Sequence, residues 1–409
     1  MTYICFWKND YKEEKDMKKM YRVFVLVLAL MISMAGCVQK VEESQVSDAQ
    51  DTSESDVIKI GVFQPLTGAN AAGGEMELEG TKLANEMFPE VLGKKIELVI
   101  VDNKSDRVEA GNAVARLVER DKVTAVIGSW GSGFSMAAGE TLKNAGIPAV
   151  APSATNPLVT LDNDYYFRVC FIDTFQGKVL AQLAFEELGA KKVAIIQEVN
   201  NDYSVGLAQF FSNEFKDLTS DDGSIVEVAN YNTGDQDFTA QLTNIKAKNP
   251  DVIFAPGNFT ESALIMKQAK ELGIDVPFLG GDTWETPEFI EVGQDAVEGA
   301  MLTTFFATEV PLNDLSKEFI EKYREKFNRE PSAVAALGFD AYLVIREAIE
   351  RAGDPNDTAK IKDEIAKTNN FQGATGSITL DENGDAIKDV IIKTVENRNF
   401  VYKTTVKHD

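Results

Sequence analysis

The stretch Gly128–Pro157, GSWGSGFSMAAGETLKNAGIPAVAPSATNP, contains the pattern that decides the fold. A β-branched apolar run at 123–127 precedes it and predicts a buried strand, which ends where the Gly- and Ser-rich loop 128–133 begins. From Ser135 the apolar residues recur every three or four positions, which predicts a helix that ends at Gly146. A strand, a polar loop and a helix in this order are typical of a parallel α/β sheet.

A second predicted strand, 147–150, follows the helix and ends in another polar loop, 152–157. Ligands of open α/β sheets bind outside the carboxyl ends of the strands, and the N-terminus of a helix offers unpaired N–H groups with a partial positive charge. Hydroxyl groups and free amides suit a small carboxylate, so we expect Ser132, Ser153 and Thr155 to bind one. Each hydroxyl taken singly could instead cap or turn the chain.

The length, composition and charge of the chain limit the kinds of protein that it can be. A length of 409 residues exceeds what one hydrophobic core normally supports and predicts two domains. Hydrophobic residues make up 44% of the chain and charged residues 26%, as in soluble globular proteins. The net charge of -24 argues against nucleic-acid binding, because phosphate contacts need basic patches, and against docking of the folded body on an anionic membrane.

Three cysteines and one histidine restrict the chemistry. Cys5 and Cys37 lie near the N-terminus, so Cys170 is alone in the predicted folded region and can form neither an intradomain disulfide nor a zinc cluster. His408, beside the C-terminus, is the only histidine, which excludes Ser-His-Asp catalysis and histidine metal sites. No G-x-S-x-G or P-loop pattern is present. The sequence therefore predicts that the protein is not an enzyme and uses no metal or cofactor.

The N-terminal region reads as a secretory signal, with a basic segment at 18–22 and an apolar run at 23–32 before Cys37. The apolar run is too short to span a membrane as a helix. The signal resembles that of bacterial lipoproteins, which implies that residues 1–36 are removed and that Cys37 is lipidated. The alternatives to a lipoprotein signal are an uncleaved membrane anchor or an ordinary signal peptide. We also expect translation to start at Met17.

The segment that follows, 37–56, consists of this cysteine and a Ser-rich, Gln-rich and acidic stretch without periodicity. Such a composition is typical of a disordered tether. As a flexible coil the tether spans about 25 Å on average, which would hold a folded body near a membrane.

From Val57 the chain alternates predicted strands and helices, which indicates a parallel sheet with right-handed crossovers. A second series of the same kind starts after Asp173. The predicted helix 334–352 is apolar nearly all round and is expected to be buried. Two predicted strands, 376–385 and 389–406, end the chain.

Seven phrases in this order resemble the type I solute-binding proteins of ABC importers, in the group for branched-chain and related amino acids. They are DNKSD, APSATNP, FRVCFIDTFQG, DFTAQLTNIKAKNPDVIFAPGN, LGGDTWETPEF, AVEG and ITLDENGD, and the resemblance covers nearly all of 57–404. It implies a fold of the periplasmic-binding-protein-like type I, with two doubly wound α/β lobes joined by a three-segment hinge. The implied lobes are 57–173 with 305–388, and 174–304 with 389–409.

The resemblance also implies roles for individual residues. The loops with Ser132 and with Ser153 and Thr155 would hold the α-carboxylate of an amino acid. The main-chain carbonyl at Ser153, the aromatic ring of Tyr203 and the carboxylate of Asp282 would hold its α-ammonium group. A zwitterion needs donors at one end and acceptors at the other, and exclusion of water strengthens both sets of contacts. As alternatives, Asp282 could cap a turn and Tyr203 could only pack a surface.

Further residues are candidates for the wall of the ligand pocket. They are Trp130, Ala154, Phe259 and Trp284, of which the aromatic ones could equally pack between the lobes. Gly73 stands where some relatives place a large aromatic residue beside the ligand side chain. We therefore expect this wall to be missing, and the resemblance does not by itself identify the amino acid.

The sequence as a whole predicts a monomeric, lipid-anchored receptor on the extracytoplasmic face of the cell membrane. By clamshell closure it would capture a free amino acid, branched-chain or related, and deliver it to the membrane subunits of an ABC permease. The alternative is a sensory binding module that reports an amino acid or amide ligand to a signalling partner.

Overall fold

The computed structural model describes residues 57–408, so the predicted signal, Cys37 and the tether lie outside the described residues. Within 57–408 the chain forms two open sheets flanked by helices, and the predicted α/β class is confirmed. No helix in this part of the chain combines the length and the apolar character that crossing a membrane requires.

The first sheet is built from the N-terminal third of the described chain. Its strands are β1 (Val57–Gln64), β2 (Glu90–Val91), β3 (Lys94–Asp102), β4 (Ala125–Ile127), β5 (Ala149–Ala151) and β6 (Tyr166–Arg168). Their order is β2-β3-β1-β4-β5-β6, and all neighbours are parallel except β2 and β3. The intervening helices are α1 (Ala71–Met87), α2 (Arg107–Arg116) and α3 (Ser132–Ala145). The strand order reverses beside β1, the position where open α/β sheets bind ligands.

Helix α3 begins three residues earlier than the apolar spacing predicts. Ser132 is its first residue, and Gly131 before it has a φ of 92°, a conformation that favours glycine. The hydroxyl and amide of Ser132 therefore lie at the positive end of the helix, where the first N–H groups have no partner within it.

The second sheet follows in the chain. Its helices and strands are α4 (Asp173–Gln182), β7 (Val193–Glu198), α5 (Asp202–Thr219), β8 (Ile225–Tyr231), α6 (Thr239–Lys248), β9 (Val252–Phe254), α7 (Phe259–Glu271), β10 (Phe278–Gly280), α8 (Pro287–Gly293) and β11 (Met301–Thr304). The chain then forms α9 (Asp314–Phe327), α10 (Ala333–Ala352), α11 (Thr358–Ala366), β12 (Phe371–Gly373), β13 (Gly376–Ile378), β14 (Val390–Glu396) and β15 (Asn399–Val406). The sheet order is β15-β14-β11-β10-β9-β7-β8, with β14 antiparallel to both of its neighbours.

Helix α10 is buried along almost its whole length, as its apolar composition predicts, and it packs against α1. Glycines allow the two helices to approach closely. A Cβ atom at Gly80 would lie 1.7 Å from the carbonyl oxygen of Ala335, and one at Gly338 would lie 2.2 Å from that of Glu77. The close contact holds α1, which carries part of the site described below, against the core of the first sheet.

The C-terminal segment differs from the prediction of one strand at 389–406. It forms the hairpin of β14 and β15. Between these strands lie Asn397 and Arg398, which adopt positive φ angles of 51° and 59°. Two such residues make the tight turn that joins antiparallel strands, although the segment lacks the glycine that usually signals it. The other predicted strand, 376–385, is extended only at β13, which pairs with β12.

Candidate ligand-binding site

A cavity of about 640 Å³ lies between the two sheets, at the carboxyl ends of their strands. Its lining residues follow β1, β3, β4 and β5 of the first sheet and β7, β8, β9 and β10 of the second. Of the predicted site residues, those in the lining are Trp130, Ser132, Ser153, Tyr203 and Asp282. The two polar loops of the first sheet thus lie across a single space from Tyr203 and Asp282 of the second sheet's side.

Ser132 and Ser153 form the hydroxyl side of this cavity. Ser132 Oγ accepts the N–H of Asn156 at 3.2 Å, so its own hydrogen remains available to another acceptor. Ser153 Oγ contacts a carboxyl oxygen of Glu77. Together with the N-terminus of α3, these hydroxyls can donate hydrogen bonds to an anion.

Glu77, on α1, contacts Ser153 behind the cavity, although the sequence pattern did not predict it as a site residue. Its side chain is fully buried, and Gln64 Nε2 donates to its Oε2 at 2.6 Å. Burial raises the pKa of Glu77 to about 8, against the lowering effect of its hydrogen bonds with Ser153 and Gln64. Its spacing from Gly73, Gly74 and Gly80 places it on the buried face of α1, which is the signal that could have revealed it.

Asp282 forms the opposite, acidic side of the cavity, in the turn after β10. Its Oδ1 accepts two hydrogen bonds, from Gln176 Nε2 at 2.8 Å and from the Tyr203 hydroxyl at 2.9 Å. Burial raises the pKa of Asp282 to about 6, and these two donors act in the opposite direction. Asp282 is therefore largely ionised at neutral pH and can accept hydrogen bonds from a cation.

Tyr203 reaches Asp282 because the local chain makes room for it. Asn201 caps α5 by accepting the N–H of Tyr203 at 3.1 Å, which fixes the start of the helix. A Cβ atom at Gly281 would lie 2.0 Å from the Tyr203 hydroxyl oxygen, so this position needs glycine. Gln176, which the sequence analysis did not find, is held by a second hydrogen bond to Thr303 Oγ1 at 2.8 Å.

Other acids also line the cavity, but their carboxylates are engaged elsewhere. Asp106 caps α2 through the N–H groups of its first turn. Glu198 accepts from Asn201 Nδ2 at 2.9 Å, and Asp202 lies 2.6 Å from Arg107 Nη2. Asp282 differs from these acids in its position, because it lies in the turn after β10 and accepts hydrogen bonds from the buried side chains of Gln176 and Tyr203.

Four predicted site residues lie outside the cavity lining. Ala154 and Thr155 are fully buried, and the carbonyl of Ala154 accepts from Arg168 Nη1 at 2.6 Å. Trp284 is buried in the second sheet, where it stacks on Phe289 at a ring distance of 4.8 Å. Phe259 lies behind Trp130, with ring centroids 6.0 Å apart. The structure therefore brings Trp130, and not Trp284, to the cavity.

Trp130 also changes the interpretation of Gly73. A Cβ atom at Gly73 would lie 2.3 Å from Cε2 of the Trp130 indole, so the indole occupies the space above this glycine. The aromatic wall that was expected to be missing at Gly73 is thus supplied by a different part of the chain.

Three polar contacts join the two sides of the cavity at its edge. Arg107 pairs with Asp202 as described, and Asn156 Nδ2 donates to the carbonyl of Asp202 at 2.9 Å. On another loop, Asn258 Nδ2 donates to Asn70 Oδ1 at 3.1 Å. The loops of the two sheets thus contact each other directly around the cavity.

The arrangement suits a small zwitterion, with hydroxyl and amide donors on one side and an ionised acid on the other. The family model described as periplasmic binding protein matches residues 57–399. The leucine-, isoleucine-, valine-, threonine- and alanine-binding protein of Pseudomonas aeruginosa is 31% identical over 359 residues, which is 86% of this chain and 93% of that protein. Leu/Ile/Val-binding protein homolog 3 of Brucella melitensis is 30% identical and covers 80% of this chain and 88% of its own length.

Solved structures show the same similarity. The leucine binding protein LivK from Thermotoga maritima superposes with a TM-score of 0.82 at 45% identity, and covers 86% of this chain and 99% of its own. The branched-chain amino acid transporter substrate binding protein LivJ from Streptococcus pneumoniae, in complex with isoleucine, gives a TM-score of 0.79 at 35% identity with the same coverage. Both similarities span the two sheets that form the cavity.

Proposed function

Because this chain belongs to the periplasmic binding protein family, we propose that it captures a free branched-chain amino acid in the cavity between its two sheets. It is a solute-binding protein of the extracytoplasmic type and not an enzyme. The names of its relatives support this class of ligand. One names leucine, isoleucine, valine, threonine and alanine, another names leucine, isoleucine and valine, and the LivJ structure contains isoleucine.

The observation that carries the proposal is the opposite polarity of the two cavity walls. Ser132, Ser153 and the N-terminus of α3 offer donors to a carboxylate. Asp282, supported by Tyr203 and Gln176, offers an acceptor with a negative charge to an ammonium group. The two groups of a free α-amino acid match this pair of walls, and an uncharged solute would leave the buried Asp282 without a cationic partner.

The remaining wall suits an apolar side chain. Trp130 and Phe134 line the cavity, and the indole is packed from behind by Phe259. An aromatic wall binds an aliphatic side chain through apolar burial, worth about 25 cal/mol per Å² removed from water. This supports leucine, isoleucine or valine over polar amino acids.

Capture would proceed by closure of two lobes, 57–173 with 305–388 against 174–304 with 389–409. The polar contacts of Arg107 and Asn70 across the cavity edge support a closed arrangement. Closure removes water from the site, which strengthens the hydrogen bonds to both charged groups of the ligand.

The proposal also covers delivery of the ligand and anchoring of the protein to the membrane. The protein would present its ligand to the membrane subunits of an ABC permease, while lipidated Cys37 and the tether 38–56 keep it at the outer face of the membrane. A single chain is sufficient for this role, so we propose a monomer.

Calorimetric titration of the mature protein with each of the twenty amino acids tests the ligand class. The protein is first unfolded, washed and refolded, so that any ligand carried through purification is removed. L-leucine, L-isoleucine and L-valine are expected to bind with the highest affinities. Tighter binding of an acidic or basic amino acid, or of an amide without charges, contradicts the proposal.

A further inference from the structure

Glu77 is a buried acid that lies directly behind Ser153 and outside the cavity lining. Its Oε2 accepts a hydrogen bond from Gln64 Nε2 at 2.6 Å, and its Oε1 contacts Ser153 Oγ. Ser153 itself lines the cavity. A group that can gain or lose a proton is therefore one hydrogen bond away from the space for the ligand.

The orientation of the Gln64 amide determines where a proton on Glu77 can point. Gln64 Oε1 accepts the N–H of Trp130 at 2.7 Å, and so the NH₂ group of Gln64 faces Glu77. An NH₂ group only donates and cannot accept a hydrogen bond from Glu77. A proton on Glu77 therefore lies on Oε1, with Ser153 Oγ as its acceptor.

The protonation of Glu77 in turn decides what Ser153 offers to the cavity, because a serine hydroxyl has a single hydrogen. When Glu77 is ionised, Ser153 donates this hydrogen to Glu77 and presents only lone pairs to the ligand. When Glu77 is protonated, it donates to Ser153 Oγ, and the hydrogen of Ser153 is free to point into the cavity.

We propose that Glu77 is a positioning residue that must hold a proton for Ser153 to bind the ligand's carboxylate, so that ligand capture takes up a proton at alkaline pH. The inference rests on the proposed function, and it adds a residue that does not touch the ligand.

The surroundings of Glu77 favour its protonated form. Burial raises the pKa of Glu77 to about 8, and the negative charge of Asp282 acts in the same direction. Hydrogen bonds from the Ser153 hydroxyl, the Gln64 amide and the Ser153 backbone act in the opposite direction but do not outweigh burial. Two other ionisable groups interact with it, the phenol of Tyr166 on β6 and the thiol of Cys170. Burial raises the pKa of both of these groups, so they are neutral at physiological pH. Glu77 therefore keeps its proton at neutral pH and loses it around pH 8.

The helices that pack against α1 do not oppose protonation of Glu77. Helix α10 approaches Glu77 with the backbone of Gly338, and its acid Asp340 instead accepts the N–H groups of Ala374 and Thr375. Helix α9 contacts α1 at Glu79, which pairs with Arg329 and with Tyr323.

Titration of wild type and Glu77→Gln with L-leucine at pH 7 and pH 9 tests the inference. A glutamine at this position keeps an NH₂ group that donates to Ser153 at any pH, and its carbonyl accepts from Gln64. Between the two pH values we expect wild-type affinity to fall about tenfold more than that of E77Q. The loss of the ligand's ammonium proton affects both proteins alike, so it cancels in the comparison.

Titrations at pH 8, in buffers of different ionisation enthalpy, count the protons directly. We expect wild type to take up about half a proton more per L-leucine than E77Q, because a pKa of about 8 leaves about half of Glu77 ionised at this pH. If Glu77 had only a structural role, wild type and E77Q would take up the same number of protons and their affinities would depend on pH in the same way.

Two further variants complete the design. Glu75→Gln removes an exposed acid from the same helix and is expected to keep the wild-type pH slope. Ser153→Ala removes the hydroxyl that Glu77 orients, so its affinity is lower but its pH slope matches that of E77Q. This variant provides the comparison if E77Q does not fold.

Equal pH slopes and equal proton uptake in wild type and E77Q, with L-leucine bound by both, overturn the inference and leave the proposed function intact. A ¹³C NMR titration of the Glu77 carboxyl in the ligand-free protein tests it independently, and ionisation below pH 6 overturns it. If wild type binds L-leucine at neither pH, the proposed function fails instead, and this NMR titration alone decides the state of Glu77.

Discussion

The indole of Trp130 lies over Gly73, where a Cβ atom would come within 2.3 Å of its Cε2 atom. Trp130 is almost fully buried, although it lines the cavity, because Phe259 packs behind it. The absence of a side chain at position 73 therefore makes space for the aromatic wall.

Gly73→Ala is expected to displace this indole towards the ligand. Overpacking of this kind typically costs about 1–3 kcal/mol of stability, so the melting temperature falls. Affinity for L-leucine is expected to fall at least tenfold, and affinity for L-alanine less, because the displaced ring takes the room of the larger side chain. Calorimetry with both amino acids measures this difference.

Gly111→Ala is the matched control, since a Cβ atom there meets no atom closer than 3.8 Å. It lies within α2, where alanine is favoured over glycine by about 0.5–1 kcal/mol, so stability is expected to rise slightly with unchanged affinity. An unchanged L-leucine affinity in the Gly73 variant would show that the indole does not wall the ligand.

The pair formed by Arg107 and Asp202 is expected to slow release of the ligand. Arg107 Nη2 lies 2.6 Å from Asp202 Oδ2 across the edge of the cavity, but both side chains are partly exposed. Exposed ion pairs contribute up to about 1 kcal/mol, so Arg107→Ala is expected to raise the dissociation rate of L-leucine by up to about fivefold. Stopped-flow tryptophan fluorescence measures this rate.

Lys104→Ala provides the comparison for this variant. Lys104 pairs with Glu109 at 3.1 Å, also partly exposed, but both residues belong to the first-sheet side. Its dissociation rate is expected to equal that of wild type. High salt is expected to accelerate release in wild type and to leave Arg107→Ala nearly unchanged. Equal rates in wild type and Arg107→Ala would mean that the pair does not restrain opening.

The residues of the site that could be predicted are those that lie after the ends of strands and that match the family resemblance. Ser132 and Ser153 lie within five residues of the ends of two neighbouring strands, and polar residues at such positions converge in a parallel α/β sheet. Tyr203, in the first turn of α5, and Asp282, in the turn after β10, also follow strands of the second sheet, and all four residues line the same cavity. Their ligand roles remain predictions.

The part that could not be predicted depends on the direction of buried side chains. Glu77 and Gln176 lie inside helices, where an acid or amide normally faces solvent, and only the packed structure shows them directed at Ser153 and Asp282. Trp130 and Trp284 both follow polar glycine loops. A Cβ atom at Gly280 would lie 2.1 Å from the Trp284 ring, which shows that this ring folds back on its own strand.

Cys37→Ala is expected to abolish membrane attachment. Acyl chains contribute about 0.8 kcal/mol for each CH₂ group buried in the bilayer, so two or three chains make attachment effectively permanent. Membrane fractionation, together with mass spectrometry of the N-terminal peptide, measures attachment and modification. Cys170→Ala is the control, because this thiol is fully buried. Wild-type protein found free in the medium with an unmodified N-terminus contradicts the anchor.

Asp282→Asn is expected to weaken ligand binding without lowering the stability of the ligand-free protein. The variant removes the negative charge that we propose faces the ligand's ammonium, and loss of one partner of a buried charge pair typically costs about 2–5 kcal/mol. L-leucine affinity is therefore expected to fall by about thirtyfold to several thousandfold. Ser132→Ala, which removes one neutral hydroxyl, is expected to lose only about 0.5–1.5 kcal/mol of binding free energy. Calorimetry at pH 7.5 compares the two variants.

The raised pKa of Asp282 also predicts how ligand affinity and stability change with pH. Because burial raises the pKa to about 6, wild-type affinity is expected to weaken as pH falls through 6, where Asp282 gains a proton, and the variant lacks this step. Between about pH 4 and 6, Asp282 is more fully protonated in the folded protein than in the unfolded chain, so its ionisation destabilises the ligand-free protein above that range. The ligand-free Asn variant is therefore expected to melt at a higher temperature than wild type at pH 7.5.

Asp222→Asn, which neutralises an exposed acid of the second sheet's side, is the control for the change in net charge. It is expected to keep both the affinity and the melting temperature of wild type. If Asp282→Asn binds L-leucine as tightly as wild type and melts at a lower temperature, Asp282 stabilises its turn and does not hold an ammonium group. Such a result favours a ligand without a cationic end, as expected of a sensory module for amides.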